Sequence, residues 1–195
     1  TSDLAVEAVK NALSKSGLDS SSLDGVIVAT CTPDLVFPST ASIVSKKLGM
    51  NSGFAFDCNA ACSGFIYGLA VADSMLKNKL AKRIALVGAE TMTRIVDWED
   101  RATCVLFGDG AGAFILEATD STECGILCSS IDGDSQLSEI LYVEGGADSA
   151  KVKMKGKDVY KQAVEKMFSS LKNICAQNKI SFDEVDWFIP HQANQ

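Results

Sequence analysis

The feature that most constrains the fold is a strand–turn–helix pattern over residues 54–77. A short strand-like run is followed by a turn of small residues, and from Phe65 the apolar residues recur at helical spacing. Cys62 lies where the turn passes into the helix, a place where unpaired backbone N–H groups and the helix dipole favour an anion. Because the thiolate is the reactive form of cysteine, we expect this position to lower the pKa of the Cys62 thiol and to make it a nucleophile. The alternative is a small buried cysteine without a chemical role.

Composition and charge narrow the function classes. The chain has 195 residues, of which 47% are hydrophobic and 22% charged, as in ordinary globular proteins. A net charge of −7 argues against a basic surface that would bind nucleic acid. In the sequence we find neither an apolar run long enough to span a membrane nor a signal peptide. The seven cysteines form no C-x-x-C pair, which indicates reduced thiols in a cytoplasmic protein. His191 is the single histidine, so a multi-histidine metal site is excluded.

Helical and strand-like segments alternate along the chain, which predicts an α/β fold. The glycines at 108, 110 and 112 suggest a nucleotide-binding loop, but they lie between two strand-like runs rather than before a helix. We therefore expect a glycine bend there. Four helices are predicted: from the start of the chain to Gly17, from about residue 39 to 48, from 62 to 77 and from 158 to 178. The strand-like runs are residues 26–31, 54–57, 83–88, 103–107, 113–116, 125–131, 140–143 and 185–190.

The helix–loop–strand pattern at the beginning of the chain occurs again near its end, 162 residues later by the offset from Asp24 to Asp186 (186 − 24 = 162). At that offset Val26 and Ile27 fall on Phe188 and Ile189, and the apolar register of the preceding helix is also kept. The repeat predicts a duplicated fold with two pseudo-symmetric halves, although many α/β proteins contain similar units. We expect His191 to lie at the same end of its sheet as the loop that follows the first strand.

Three motifs resemble one known family. A-F-D-C-N-A-A-C-S-G-F at 55–65, F-G-D-G-A-G-A at 107–113 and W-F-I-P-H-Q-A-N at 187–194 are similar to 3-oxoacyl-acyl-carrier-protein synthase III, the initiating condensing enzyme of bacterial fatty acid synthesis. The resemblance implies a thiolase-like fold of two pseudo-symmetric α/β halves in a layered α-β-α-β-α architecture. Residues 1–123 would form most of the N-terminal half and residues 124–195 the beginning of the C-terminal half.

The resemblance also implies roles for individual residues. Cys62 matches the cysteine that takes the primer from an acyl-CoA, and His191 the histidine that stabilises charge when malonyl-acyl-carrier-protein loses CO2. Phe37 matches a phenylalanine that reaches into the partner's acyl pocket in a homodimer. The remaining matches concern substrate binding: Asn194 on the pantetheine arm, Arg101 near the CoA nucleotide, and Leu106, Phe107, Met154 and Gly156 along the substrate tunnel.

The chemistry suits these residue types. Thioester exchange needs a sulfur nucleophile and donors for the carbonyl oxygen, both of which a helix N-terminus offers. A neutral imidazole can stabilise the enolate of decarboxylation without a metal, so no cofactor is expected beyond the substrates acyl-CoA and acyl carrier protein. We expect a short primer, because Phe37 leaves little room for a long chain.

Some features of the resembled family have no counterpart in this sequence. We therefore expect an incomplete molecule that lacks the family's catalytic asparagine and parts of both ends. On its own it would be inactive and would expose apolar surface.

Three alternatives to this synthase stay open. One is another thiolase-fold condensing enzyme that makes quinolone or polyketide starters with the same cysteine and histidine. Another is a non-catalytic homologue that binds the carrier protein, which would not need Cys62, His191 and Asn194 together. A dinucleotide-binding oxidoreductase ranks last.

Overall fold

The computed structural model describes residues 1–121, 124–144 and 150–193, which form two compact units. The first unit comprises Thr1–Thr91 and Asp109–Ile126, and the second comprises Met92–Gly108 and Leu127–Gln195. The segment 92–108 therefore groups with the later part of the chain. The division of the complete fold into halves near residue 123 stays a prediction.

The first unit is an α/β sheet with helices on both faces. Along the chain it contains α1 (Ser2–Ser16), β1 (Gly25–Ala29), α2 (Thr40–Lys47), β2 (Phe54–Cys58), α3 (Gly64–Lys77), β3 (Arg83–Thr91) and β4 (Asp109–Glu117). The strands are ordered β2-β1-β3-β4, and β1 is parallel to both of its neighbours. Strand β4 is antiparallel to β3 at the other edge.

Strand β1 is buried along its whole length because both of its faces are covered. Val26 and Val28 pack with α1 and α2 in one apolar cluster, whereas Ile27 packs with α3 in another. This explains why the strand is a continuous apolar run rather than an alternating one.

The helix predictions for the first unit are confirmed with small shifts of boundary. Helix α1 ends at Gly17 in the left-handed conformation, and the Ser39 side chain caps α2 by accepting a hydrogen bond from the backbone N–H of Ser42. The bend expected at the glycines is wrong, because Gly110 and Gly112 lie within β4 and pair with Glu90 and Gly88.

The second unit contains β5 (Leu141–Val143), β6 (Val152–Met154) and α4 (Gly156–Gln177). Strands β5 and β6 are antiparallel, and the backbone N–H of Val152 donates to the carbonyl of Ile95 at 3.0 Å. The face of α4 predicted to be apolar is the less exposed one, with Val159, Ala163, Met167, Leu171 and Ile174 all partly buried.

Three strand predictions are wrong in the described residues. Residues 103–107 form turns, and residues 125–131 and 185–190 have no strand pairing, although each run is apolar. A strand requires a hydrogen-bonded neighbour as well as an apolar sequence, and no described residue pairs with these runs. Large apolar side chains are exposed in these runs, among them Val105, Trp187 and Ile189.

Gly53, just before β2, provides a test of the fold. Its φ is +119°, and a Cβ there would lie 2.6 Å from the carbonyl oxygen of Asp24, a backbone atom that cannot rotate away. We expect Gly53→Ala to lower the free energy of unfolding by about 3 kcal/mol, and Gly49→Ala by about 1 kcal/mol. Gly49 is a matched control because its φ is +72° and no atom lies within 4 Å of the added Cβ. Denaturation of the complete protein measures both changes, and equal losses would contradict the backbone clash.

Candidate active site

Cys62 lies in a short 3-10 turn, Ala61–Ser63, between the end of β2 and the start of α3. The residue before it, Ala61, has a φ of +46°, in the left-handed region that residues other than glycine rarely adopt. The backbone N–H of Ser63 donates to the carbonyl of Ala60 at 3.1 Å and closes the turn. Strained backbone of this kind is concentrated at functional sites, where the surrounding structure holds it in place.

Two glycines let the start of α3 pack closely on the sheet. A Cβ on Gly64 would lie 3.4 Å from Cβ of Ala29, and one on Gly68 would lie 2.7 Å from Cδ1 of Leu86. The Phe65 ring reaches to 3.6 Å from the Cβ position of Gly88 on β3. Cys62 is thereby placed at the carboxyl ends of the parallel strands, where open α/β sheets bind their ligands.

The electrostatic environment of Cys62 differs from the expected one. Its side chain is exposed, yet desolvation by the surrounding protein raises the pKa of the thiol above its ordinary value. The negative charge of Glu90 raises it further, whereas a backbone hydrogen bond lowers it. The expectation of a lowered pKa is therefore wrong, because desolvation of the thiol outweighs the backbone hydrogen bond.

Glu90, near the end of β3, is a site residue that the sequence reasoning missed. It accepts hydrogen bonds from the backbone N–H of Cys31 at 2.8 Å and from the Cys31 thiol at 3.2 Å. Burial, with the Glu90 charge as the next cause, raises the pKa of Cys31 to about 12. The signal in the sequence was a carboxylate at the end of an otherwise apolar strand. Parallel strands end at one sheet edge, so Glu90 and Cys31 could have been placed beside Cys62.

Phe37 also belongs to the first unit and lies in an exposed apolar segment. It is 83% exposed, and Val36 before it is 95% exposed. Its proposed contact with a second protomer concerns a partner chain and stays a prediction.

The other predicted site residues that the structure describes belong to the second unit. Arg101 is exposed in a turn that Asp100 organises by accepting hydrogen bonds from the Ala102 N–H and the Thr103 hydroxyl. Met154 and Gly156 lie together, since Cε of Met154 is 3.5 Å from the Cβ position of Gly156. The rest are Leu106 and His191, both exposed, and Phe107, which is partly buried.

The pairing of Cys62 with His191 stays a prediction, because the two residues belong to different units. Asn194 lies outside the described residues. In the described ranges, no three His, Cys, Asp or Glu side chains are grouped so that they could hold a metal ion. No described helix is long and apolar enough to cross a membrane.

Comparisons with known proteins agree on one family. The family model described as 3-oxoacyl-[acyl-carrier-protein (ACP)] synthase III matches residues 56–135, which include Cys62 and Glu90. The beta-ketoacyl-[acyl-carrier-protein] synthase III of Novosphingobium aromaticivorans is 48% identical over 203 residues, covering 100% of this chain and 62% of the relative. The chain thus spans less than two thirds of the length of that curated relative.

Solved structures give the same result for the fold. The 3-oxoacyl-[acyl-carrier-protein] synthase III of Aquifex aeolicus superimposes with a TM-score of 0.92 at 41% identity, covering 97% of this chain and 60% of that one. The Pseudomonas aeruginosa 3-oxoacyl-(acyl carrier protein) synthase III gives a TM-score of 0.93 at 37% identity, covering 99% of this chain and 61% of that one. The predicted thiolase-like α/β fold is confirmed by these neighbours. The chain therefore matches a part of the 3-oxoacyl-[acyl-carrier-protein] synthase III family along its whole length.

Proposed function

We propose that the protein containing this chain is the initiating condensing enzyme of type II fatty acid synthesis. The observation that carries the proposal is the position of Cys62 in a strained turn, at the start of α3 and at the carboxyl edge of the sheet. Similarity to members of the synthase III family supports the same reaction class.

The first half-reaction is an acyl transfer. The sulfur of Cys62 attacks the carbonyl carbon of an acyl-CoA and the bond to the CoA sulfur breaks. The thiol proton ends on the departing CoA sulfur, so that the products are an acyl-Cys62 thioester and free CoA. Backbone N–H groups near the start of α3 are suited to stabilise the negative oxygen of the tetrahedral intermediate. Because the resting thiol has a raised pKa, the reaction needs a group that accepts its proton or stabilises the thiolate.

The second half-reaction is a decarboxylative condensation. Malonyl-acyl-carrier-protein loses CO2, the resulting enolate carbon attacks the acyl-Cys62 carbonyl, and 3-oxoacyl-acyl-carrier-protein leaves as the Cys62 sulfur is released. His191 is the single histidine of the chain and can donate a hydrogen bond to the enolate oxygen in its neutral form. No bound cofactor takes part, since CoA thioester and carrier protein are substrates.

The remaining site residues receive substrate-binding roles in this proposal. Arg101 would contact the CoA nucleotide and Asn194 the pantetheine arm. Leu106, Phe107, Met154 and Gly156 would line the acyl tunnel. Phe37 would close the acyl pocket of the partner in a homodimer, and its exposure among other apolar side chains supports such a contact. We infer a cytoplasmic location, in keeping with the free cysteines.

Acylation of one cysteine is the direct test. After the complete protein is incubated with acetyl-CoA and digested, we expect mass spectrometry to show a hydroxylamine-sensitive acetyl group on Cys62 and on none of the other six cysteines. Cys62→Ser should abolish the modification. Cys124→Ser, at another exposed thiol, is the matched control and should leave it unchanged. If longer acyl-CoAs also leave Cys62 free in the folded protein, the reaction is not the one proposed.

The raised pKa of Cys62 predicts the pH dependence of its reactivity. Below the pKa the thiolate fraction increases about tenfold per pH unit, so alkylation of Cys62 by iodoacetamide should accelerate steadily from about pH 6 to pH 8. If the pKa of the thiol were lowered, the rate of alkylation would stop increasing once the pH exceeded that pKa, at some pH below about 7. Peptide-mapped alkylation at several pH values separates these cases, and an early plateau would contradict the raised pKa.

Phe37 is expected to restrict the length of the primer. Phe37→Ala should raise the rate of Cys62 acylation by octanoyl-CoA relative to acetyl-CoA about tenfold, because one methylene in an apolar pocket changes selectivity by about tenfold or more. Val36→Ala changes a neighbouring side chain that is 95% exposed and should leave the ratio unchanged. An unchanged ratio in Phe37→Ala would remove this residue from the acyl pocket.

A further inference from the structure

Glu90 joins the segment of residues 30–32 to the end of β3. Besides its two bonds from Cys31, its carboxylate accepts hydrogen bonds from the hydroxyl of Thr30 at 3.3 Å and from the hydroxyl of Thr32. Four donors from three consecutive residues therefore meet one carboxylate. Hydrogen bonds to a charged acceptor are about twice as strong as those between neutral groups.

The same segment is also tied to the strand that leads to Cys62. The backbone N–H of Thr30 donates to the carbonyl of Cys58 at 3.2 Å, and Cys58 is the last residue of β2. The hydroxyl of Thr32 accepts a hydrogen bond from the backbone N–H of Thr91 at 2.8 Å, and Thr30 and Thr32 are both buried. Residues 30–32 are thus fixed between the ends of β2 and β3.

The side chain of Glu90 lies on the face of the sheet that carries α3. Alternate residues of a strand share a face, so Glu90 shares one with Leu86 and Gly88. Leu86 approaches Gly68, and Gly88 approaches the Phe65 ring, three residues after Cys62. The carboxylate therefore points to the side of the sheet on which the nucleophile lies.

The titratable groups that face Glu90 come from two neighbouring segments. They are the thiol of Cys31, from the segment after β1, and the thiol of Cys62, from the turn before α3; the charge of Glu90 raises the pKa of both. From the adjacent strand β4, the residue paired with Glu90 is Gly110, which carries no charge, and Asp109 pairs with Thr91.

We propose that Glu90 is a positioning residue of the Cys62 site, which fixes residues 30–32 between the strand ends and places a carboxylate near the nucleophile. This role rests on the proposed function of Cys62 as the acyl acceptor. The fixed segment holds the ends of β2 and β3 in place near the cysteine, and the charge of Glu90 adds to desolvation in raising the pKa of the unacylated thiol. Acylation removes the thiol proton and forms a neutral thioester, so the charge of Glu90 opposes a free thiolate but not the acyl-enzyme.

The experiment compares Glu90→Gln, Glu90→Ala and Asp57→Asn in the complete protein. Glu90→Gln keeps the shape and removes the charge, so Cys62 should be alkylated by iodoacetamide at least about threefold faster at pH 7, because the opposing charge is gone. Glu90→Ala should in addition speed amide hydrogen exchange in the peptide that contains Cys31. Asp57 is the matched control, since its carboxylate accepts from the N–H groups of Thr40 and Ala41 and anchors α2. Asp57→Asn should change neither Cys62 alkylation nor exchange at Cys31.

Two results would overturn the proposal. One is a wild-type alkylation profile in folded Glu90→Gln, and the other is an equal change in Asp57→Asn, which would reveal a general loss of stability. Neither readout requires acyl-CoA. If Cys62 failed to accept an acyl group, the proposed function would be contradicted. The alkylation and hydrogen-exchange results would still test the role of Glu90 separately.

Discussion

The structure of the first unit depends on the burial of β1 between two layers of helix. Val26, Ile27 and Val28 are fully buried, and burial of each such side chain contributes about 1.5–3 kcal/mol. Since β1 pairs with β2 on one side and β3 on the other, it sets the parallel register of both. That register brings Ala29, Cys58 and Gly88 level with one another, and α3 packs against this row through Gly64 and Phe65. The position of Cys62 follows from this packing.

The polar groups at the same sheet edge follow from the same arrangement. Polar or thiol side chains stand where the three strands end: Thr30 directly after β1, Cys58 as the last residue of β2, and Glu90 next to the last residue of β3. Glu90 would be costly to enclose without partners, and residues 30–32 supply four donors to it. Cys62 thus lies near a negative charge, and the helix N-terminus and this charge act on the thiol in opposite directions.

Much of the fold could be predicted from sequence because short local patterns indicate where its helices and strands lie. The apolar period of α1 and α4, the cap at Ser39 and the apolar run of β1 each appear in a few consecutive residues. The runs at 125–131 and 185–190 were predicted wrongly, since their composition suits a strand but pairing depends on residues far away in the chain. Strand β4 shows the opposite error: its glycines suggested a bend, and pairing with β3 keeps them extended.

The sequence by itself pointed to the synthase III family and to Cys62 as the candidate nucleophile, because the motif around Cys62 and the order of the three motifs are local and specific. Only the tertiary structure decided the environment of that cysteine. The position of Cys62 at a helix start predicted a lowered pKa, whereas desolvation and the carboxylate of Glu90 raise it. The charge comes from Glu90, which lies 90 − 62 = 28 positions further along the chain, and the desolvation comes from the protein folded around the thiol. A pKa is set by the atoms that surround a group in space, and no pattern along the chain reports those distances.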